Sequence, residues 1–202
     1  MKASPWPACR PDDGAAAHLR PWTADESDVS AVLGAFGAAD MRRQAAGQIT
    51  TRQAALDWLT GMVPGAGGSA RAFAIDLGGV GGVVGAVGHV MVSGIDGDHQ
   101  TGWVSYWVAP GHRGRGLAAA AAAGLARHCF DDLDLFRLEL GHRTNNPASG
   151  AVASAAGFRP EGIERAKLRY PTAGGGWERH DVARWSRLAS DPAPRAAPLP
   201  LG

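Results

Sequence analysis

The residues best placed to do chemistry lie between Tyr106 and Ala118, which read Tyr-Trp-Val-Ala-Pro-Gly-His-Arg-Gly-Arg-Gly-Leu-Ala. A strand ends at Val108, a short loop follows, and a Gly-x-Gly opens a helix. Gly114 and Gly116 can adopt positive φ and let the backbone approach a ligand closely. The unpaired N–H groups of the helix's first turn, with the helix dipole behind them, favour an anion. Arg113 and Arg115 add positive charge. The loop is not a Walker A motif, because no Lys-Ser/Thr follows the second Gly. It is not a full dinucleotide fingerprint, because Ala119 stands three residues after Gly116.

Other groups with chemical capacity are Asn146 and Ser149, which flank Pro147 at the start of a short helix. As a local structure, Asn146 is an N-cap and Ser149 a first-turn hydroxyl. Glu139 alternates with apolar Leu138 and Leu140 on a strand, so it is either a partly desolvated base or one half of an ion pair with Arg137 or Arg143. His89 and His142 are weaker candidates for a base.

The elements that position these residues follow from periodicity. Thr23 and Glu26 form a candidate capping box ahead of Val29, Val32, Leu33 and Phe36. Thr50 and Gln53 form another ahead of Ala55, Trp58, Leu59 and Met62. The period then changes to two. Residues 72–77 and 83–92 read as a hairpin around a Gly-rich turn, and 103–108 as a further strand. A helix over 115–130, a strand over 136–140, a helix over 147–156 and two strands over 158–169 and 178–188 complete the order. This α/β (α+β) order indicates a mixed sheet with helices on its faces. Residues 1–17 and the Pro/Ala-rich stretch 191–202 are expected to be flexible extensions around a domain over 18–190.

Composition narrows the function. Twenty basic and 19 acidic residues leave a formal charge of +1, which argues against a broad nucleic-acid surface. Two cysteines build neither a disulfide framework nor a zinc site, and no metal is expected. No apolar run approaches the ~20 residues that cross a bilayer. A cytoplasmic protein without a membrane partner is the expectation.

The segment Arg113, Gly116, Ala118 resembles the acetyl-CoA pyrophosphate loop of the GCN5-related N-acetyltransferase (GNAT) family, whose pattern is Gln/Arg-x-x-Gly-x-Gly/Ala. Asn146 and Ser149, then Gly157-Phe158 and Glu161-Gly162, resemble the downstream signature of its RimJ/RimL-like subgroup. Leu19-Arg20-Pro21-Trp22 is similar to the opening strand, and Asp181 with Trp185 to the closing one.

The resemblance implies a GNAT fold, with six to seven strands, two splayed central parallel strands and about four helices. It implies acetyl-CoA as acetyl donor (EC 2.3.1.-), held by Trp107, Val108, Arg113, Gly114, Arg115, Gly116, Leu117, Ala118, Asn146 and Ser149. Ser149 would act as thiolate acid, and Glu139 is the base expected here. The acceptor would be a protein N-terminal amine or a small-molecule amine, and the assembly a homodimer. Trp103 and Leu168 stand where some relatives carry Glu. That departure keeps open a second reading, a non-catalytic module that binds CoA or another ligand as a sensor.

Overall fold

The structure is a computed structural model that describes residues 17–38, 40–41, 49–62, 68–78, 85–172 and 174–202. Residues 1–16 of the expected N-terminal extension and most of the Gly-rich turn after residue 78 lie outside the described residues.

The elements run β1 (His18–Pro21), α1 (Glu26–Phe36), α2 (Arg52–Met62), β2 (Arg71–Asp76), β3 (Ala86–Asp96), β4 (Thr101–Val108), α3 (Leu117–Asp131), β5 (Arg137–Arg143), α4 (Pro147–Ala155), β6 (Arg159–Pro171) and β7 (Trp177–Leu188). They form one seven-stranded sheet in the order β1-β2-β3-β4-β5-β7-β6. Every pairing is antiparallel except β4 with β5.

Alternation along β2 shows how the two faces are filled. Phe73 and Ile75 join the core beneath α3 and α4, while Ala72 and Ala74 join the one beneath α1 and α2. Successive side chains of a strand point to opposite faces, so a strand buried on both reads as continuously apolar.

The helix starts differ from the expected capping boxes by one or two residues. Asp25, not Thr23, caps α1, accepting from the Asp28 N–H at 2.9 Å. Thr23 instead gives its N–H and its hydroxyl to the buried Asp28 carboxylate, which also binds Arg20. That charge outcompetes the cap. At α2, Thr51 rather than Thr50 accepts from the Ala54 N–H, at 3.2 Å.

The C-terminal segment, expected as a flexible tail, packs onto the domain. Leu199 is fully buried, and its N–H donates to the Ala120 carbonyl at 3.0 Å. A Cβ on Gly124 would lie 2.4 Å from the Leu199 carbonyl oxygen, so only glycine lets this backbone cross α3 there. Leu201 then bridges to Leu19 of β1.

The feature that positions the site is the separation of β4 and β5. They pair only over Thr101–Trp103 and Arg137–Glu139, although β4 continues to Val108 and β5 to Arg143. Beyond that short ladder the sheet is open.

Candidate active site

The loop after β4 is built to present bare backbone. A single 3-10 turn over Pro110–His112 leads to Gly114 and Gly116, with φ of +79° and +74°. A Cβ on either would meet no atom within 4 Å, so the backbone conformation and the open space beside it, not crowding, call for glycine. Gly116 caps α3 without any side-chain bond. The first helical N–H to be taken is that of Ala120, by the Gly116 carbonyl at 3.0 Å. The N–H groups just before it have no acceptor among the described residues, at the positive end of a 15-residue helix.

The two arginines of this loop do different work. Arg115 is exposed and has no partner among the described residues. Arg113, expected to contact phosphate, is already engaged. Its Nε donates to the Val108 carbonyl at 2.9 Å and its Nη1 to Asp40 at 2.6 Å. It braces the loop against β4.

A groove of about 390 Å³ runs from this loop along α4, with Trp107, Val108, Leu117 and Ala118 on one wall and Ser149 and Val152 on the other. Trp107 Nε1 and His112 Nδ1, on residues of this groove, are buried without a partner among the described residues. Such atoms are costly unless something completes them.

A second cavity of about 200 Å³ occupies the split itself, between Trp103–Tyr106 of β4 and Leu140–Arg143 of β5, with Leu168 and Tyr170 of β6 at its side. Tyr106, Asn146 and Ser149 line both spaces. The three are hydrogen-bonded into one unit. Asn146 Oδ1 accepts from the Ser149 N–H at 3.3 Å, and its Nδ2 donates to Ser149 Oγ at 3.0 Å. Tyr106 donates to the Ser149 carbonyl at 3.0 Å. Burial pushes the Tyr106 phenol up to about 12, so it stays protonated at neutral pH. Ser149 Oγ accepts from Asn146, and that bond does not use the hydroxyl's own proton.

Glu139 does not reach this site. Its carboxylate is held by Arg137 at 2.7 Å and Arg184 at 2.5 Å, and Arg184 lies 4.7 Å over the Trp103 ring. Strand alternation turns Glu139 to the face opposite Leu138 and Leu140, so the ion-pair alternative holds. His142 does line the split. However, its Nδ1 meets the Arg143 carbonyl at 2.9 Å and its Nε2 meets the Trp185 indole N–H at 3.1 Å, so both ring nitrogens are in use. His89 is buried among Trp22, Trp58 and Trp107, where desolvation lowers it to about 3. Trp177 is exposed under Arg169 and is not part of either wall.

Sequence reasoning overlooked Tyr106 and Arg143 as site residues. Tyr106 carried a readable signal, an aromatic two positions before the end of the strand that feeds the loop. Arg143 carried none, because its place depends on the β5–β6 geometry.

A family model described as "Acetyltransferase (GNAT) domain" matches residues 17–159. The chain belongs to the GNAT acetyltransferase family. Among curated relatives, the probable N-acetyltransferase YjcK of Bacillus subtilis is 34% identical over 88 residues, covering 44% of this chain and 47% of YjcK. The putative ribosomal N-acetyltransferase YdaF of the same organism is 30% identical over 78 residues, covering 39% and 43%. The matched stretches thus span less than half of those relatives. Among solved structures, Mycobacterium smegmatis RimJ in complex with CoA-disulfide is 25% identical with a TM-score of 0.69, covering 87% of this GNAT chain and 83% of RimJ. Spermidine N-acetyltransferase from Vibrio cholerae, in complex with CoA and spermine, is 18% identical with a TM-score of 0.70, covering 87% and 96%. That likeness is one of fold.

Proposed function

We propose that this GNAT domain is an acetyl-CoA-dependent N-acetyltransferase that acts on a primary amine by direct attack in a ternary complex. One observation carries the reading. The groove that begins at a bare helix N-terminus and the cavity in the split sheet share the Tyr106–Asn146–Ser149 unit. A donor and an acceptor entering from the two sides would meet there.

The residues present fit acetyl-CoA. The N–H groups at the start of α3, with Arg115, would hold the pyrophosphate. The β5-facing edge of β4 beyond Trp103 has no strand partner, so its backbone is free to pair with an extended amide chain, as an added strand would. Bound acetyl-CoA supplies an activated thioester; the new N–C bond replaces the C–S bond, one proton leaves the nitrogen and one reaches the thiolate sulfur. Ser149, its Oγ oriented by Asn146, is placed to give the second proton. No carboxylate lines the split among the described residues, and both nitrogens of His142 are engaged. The acceptor therefore enters as the neutral amine, its first proton already lost to solvent.

YjcK and YdaF are both named as N-acetyltransferases, and that chemistry is what is carried over here. The test is acceptor-dependent release of CoA thiol from acetyl-CoA across amines and N-terminal peptides. Turnover supports the transferase. Tight binding of acetyl-CoA with no turnover on any acceptor would support a sensor instead, and a folded protein that fails to bind acetyl-CoA would sink both.

A further inference from the structure

The split-sheet cavity is unusual in its charge. Twelve of the described residues line it, and none of these is Asp or Glu. Carboxylates on the flanking strands are already occupied. Glu139 is held by Arg137 and Arg184, Glu164 by Lys167 and Arg184, and Asp181 accepts from the Ala166 N–H at 2.7 Å. Glu178 lies 3.6 Å from His180. On the groove side the only acid among the described residues is Asp40, bound to Arg113.

Among the described residues that line the cavity, Arg143 is the one Arg, Lys, Asp or Glu. Its guanidinium lies 4.9 Å above the Tyr170 ring and has no acceptor among the described residues. Stacking on the ring fixes the guanidinium plane and leaves its N–H edge able to form the two-pronged contact that suits a carboxylate. A polyamine, whose remaining ammonium groups need carboxylates, would meet a cation here. A peptide acceptor offers no carboxylate beside its amine, because that group is an amide.

We infer that the acceptor is a small primary amine that carries its own carboxylate, such as a free amino acid, with the carboxylate seated on Arg143 and the amine directed toward Ser149. This rests on the N-acetyltransferase reading and names its substrate class. Arg143 is not among the residues that line the groove at the start of α3, where the pyrophosphate is placed, so its contact is assigned to the acceptor.

The experiment compares kcat/KM for a panel of free amino acids with their primary amides, with spermidine and an N-terminal peptide alongside. A charge-assisted contact of this kind corresponds to a preference of roughly tenfold to a hundredfold for the acid over its own amide. Arg143→Gln should bring that ratio close to one while leaving the acetyl-CoA Kd unchanged, and Arg143→Lys should restore part of it. Equal rates on acid and amide, a preference for spermidine or the peptide, or a ratio that survives Arg143→Gln would each overturn the inference while the transferase reading stands. Acetyl-CoA binding without turnover of any amine would overturn both.

Discussion

Gly116→Ala separates a phosphate cradle from a mere tight turn. At φ of +74° an alanine costs about 1–2 kcal/mol, and the stiffer unfolded chain offsets roughly 0.5–1 kcal/mol of that. No atom lies within 4 Å of the new Cβ, so no clash is added. The net loss is about 1 kcal/mol, or a Tm about 2–4 °C lower for a domain of this size. If the loop were only a turn, the folded variant would bind acetyl-CoA as well as the parent. If the open space holds phosphate, the methyl group displaces at least one charge-assisted N–H contact of about 1.5–3 kcal/mol, and Kd rises roughly tenfold to more than a hundredfold. Gly111→Ala is the control: it lies on the same loop, a Cβ there also meets nothing within 4 Å, and its φ is not positive. Calorimetric titration with acetyl-CoA, paired with thermal melts, reads both effects. A Tm loss near the expected value with Kd within twofold of the parent would refute the cradle.

Three further outcomes are expected. Ser149→Ala should lower kcat by about a hundredfold with a smaller change in acetyl-CoA KM, because it removes the proton donor and leaves the N–H groups at the start of α3 in place; steady-state kinetics showing unchanged kcat would remove Ser149 as the acid. His89 is pinned neutral by burial at about 3, so below about pH 6.5 the unfolded chain takes up a proton that the folded one refuses, and stability should fall by about 1.4 kcal/mol per pH unit from this residue. His89→Gln should remove that contribution, so urea melts at pH 7 and pH 5 should show the variant losing about 2 kcal/mol less than the parent; equal losses would contradict it. Leu199→Ala should destabilise the domain by about 2–5 kcal/mol in the same melts, whereas a loose tail would give no change.

The sequence carried the architecture well wherever local pattern decides it. The strand-loop-helix around Gly114 and Gly116, the Asn146 cap before Pro147, and the alternation on β5 all follow from neighbours a few residues apart. Long-range contacts left no such mark. Arg113 looked like an anion ligand until Asp40, 73 residues away, engaged it. Glu139 was open to two readings, base or ion pair with Arg137 or Arg143, and Arg184 of β7, beyond any local pattern, joins Arg137 in the ion pair. Leu199 sits in a Pro-rich stretch whose composition reads as loose, and only its passage over Gly124 shows otherwise. The α1 cap moved because a buried Asp28 took the hydroxyl that Thr23 would have used. In each case a charge or a close packing contact outweighed the local preference.

The most direct measurement is a crystal structure with bound CoA. The expected result is the pyrophosphate on the N–H groups at Gly114–Ala118 and the thiol within hydrogen-bonding reach of Ser149 Oγ, between β4 and β5. A pyrophosphate bound away from the start of α3, or a thiol outside the split, would contradict the site assigned here.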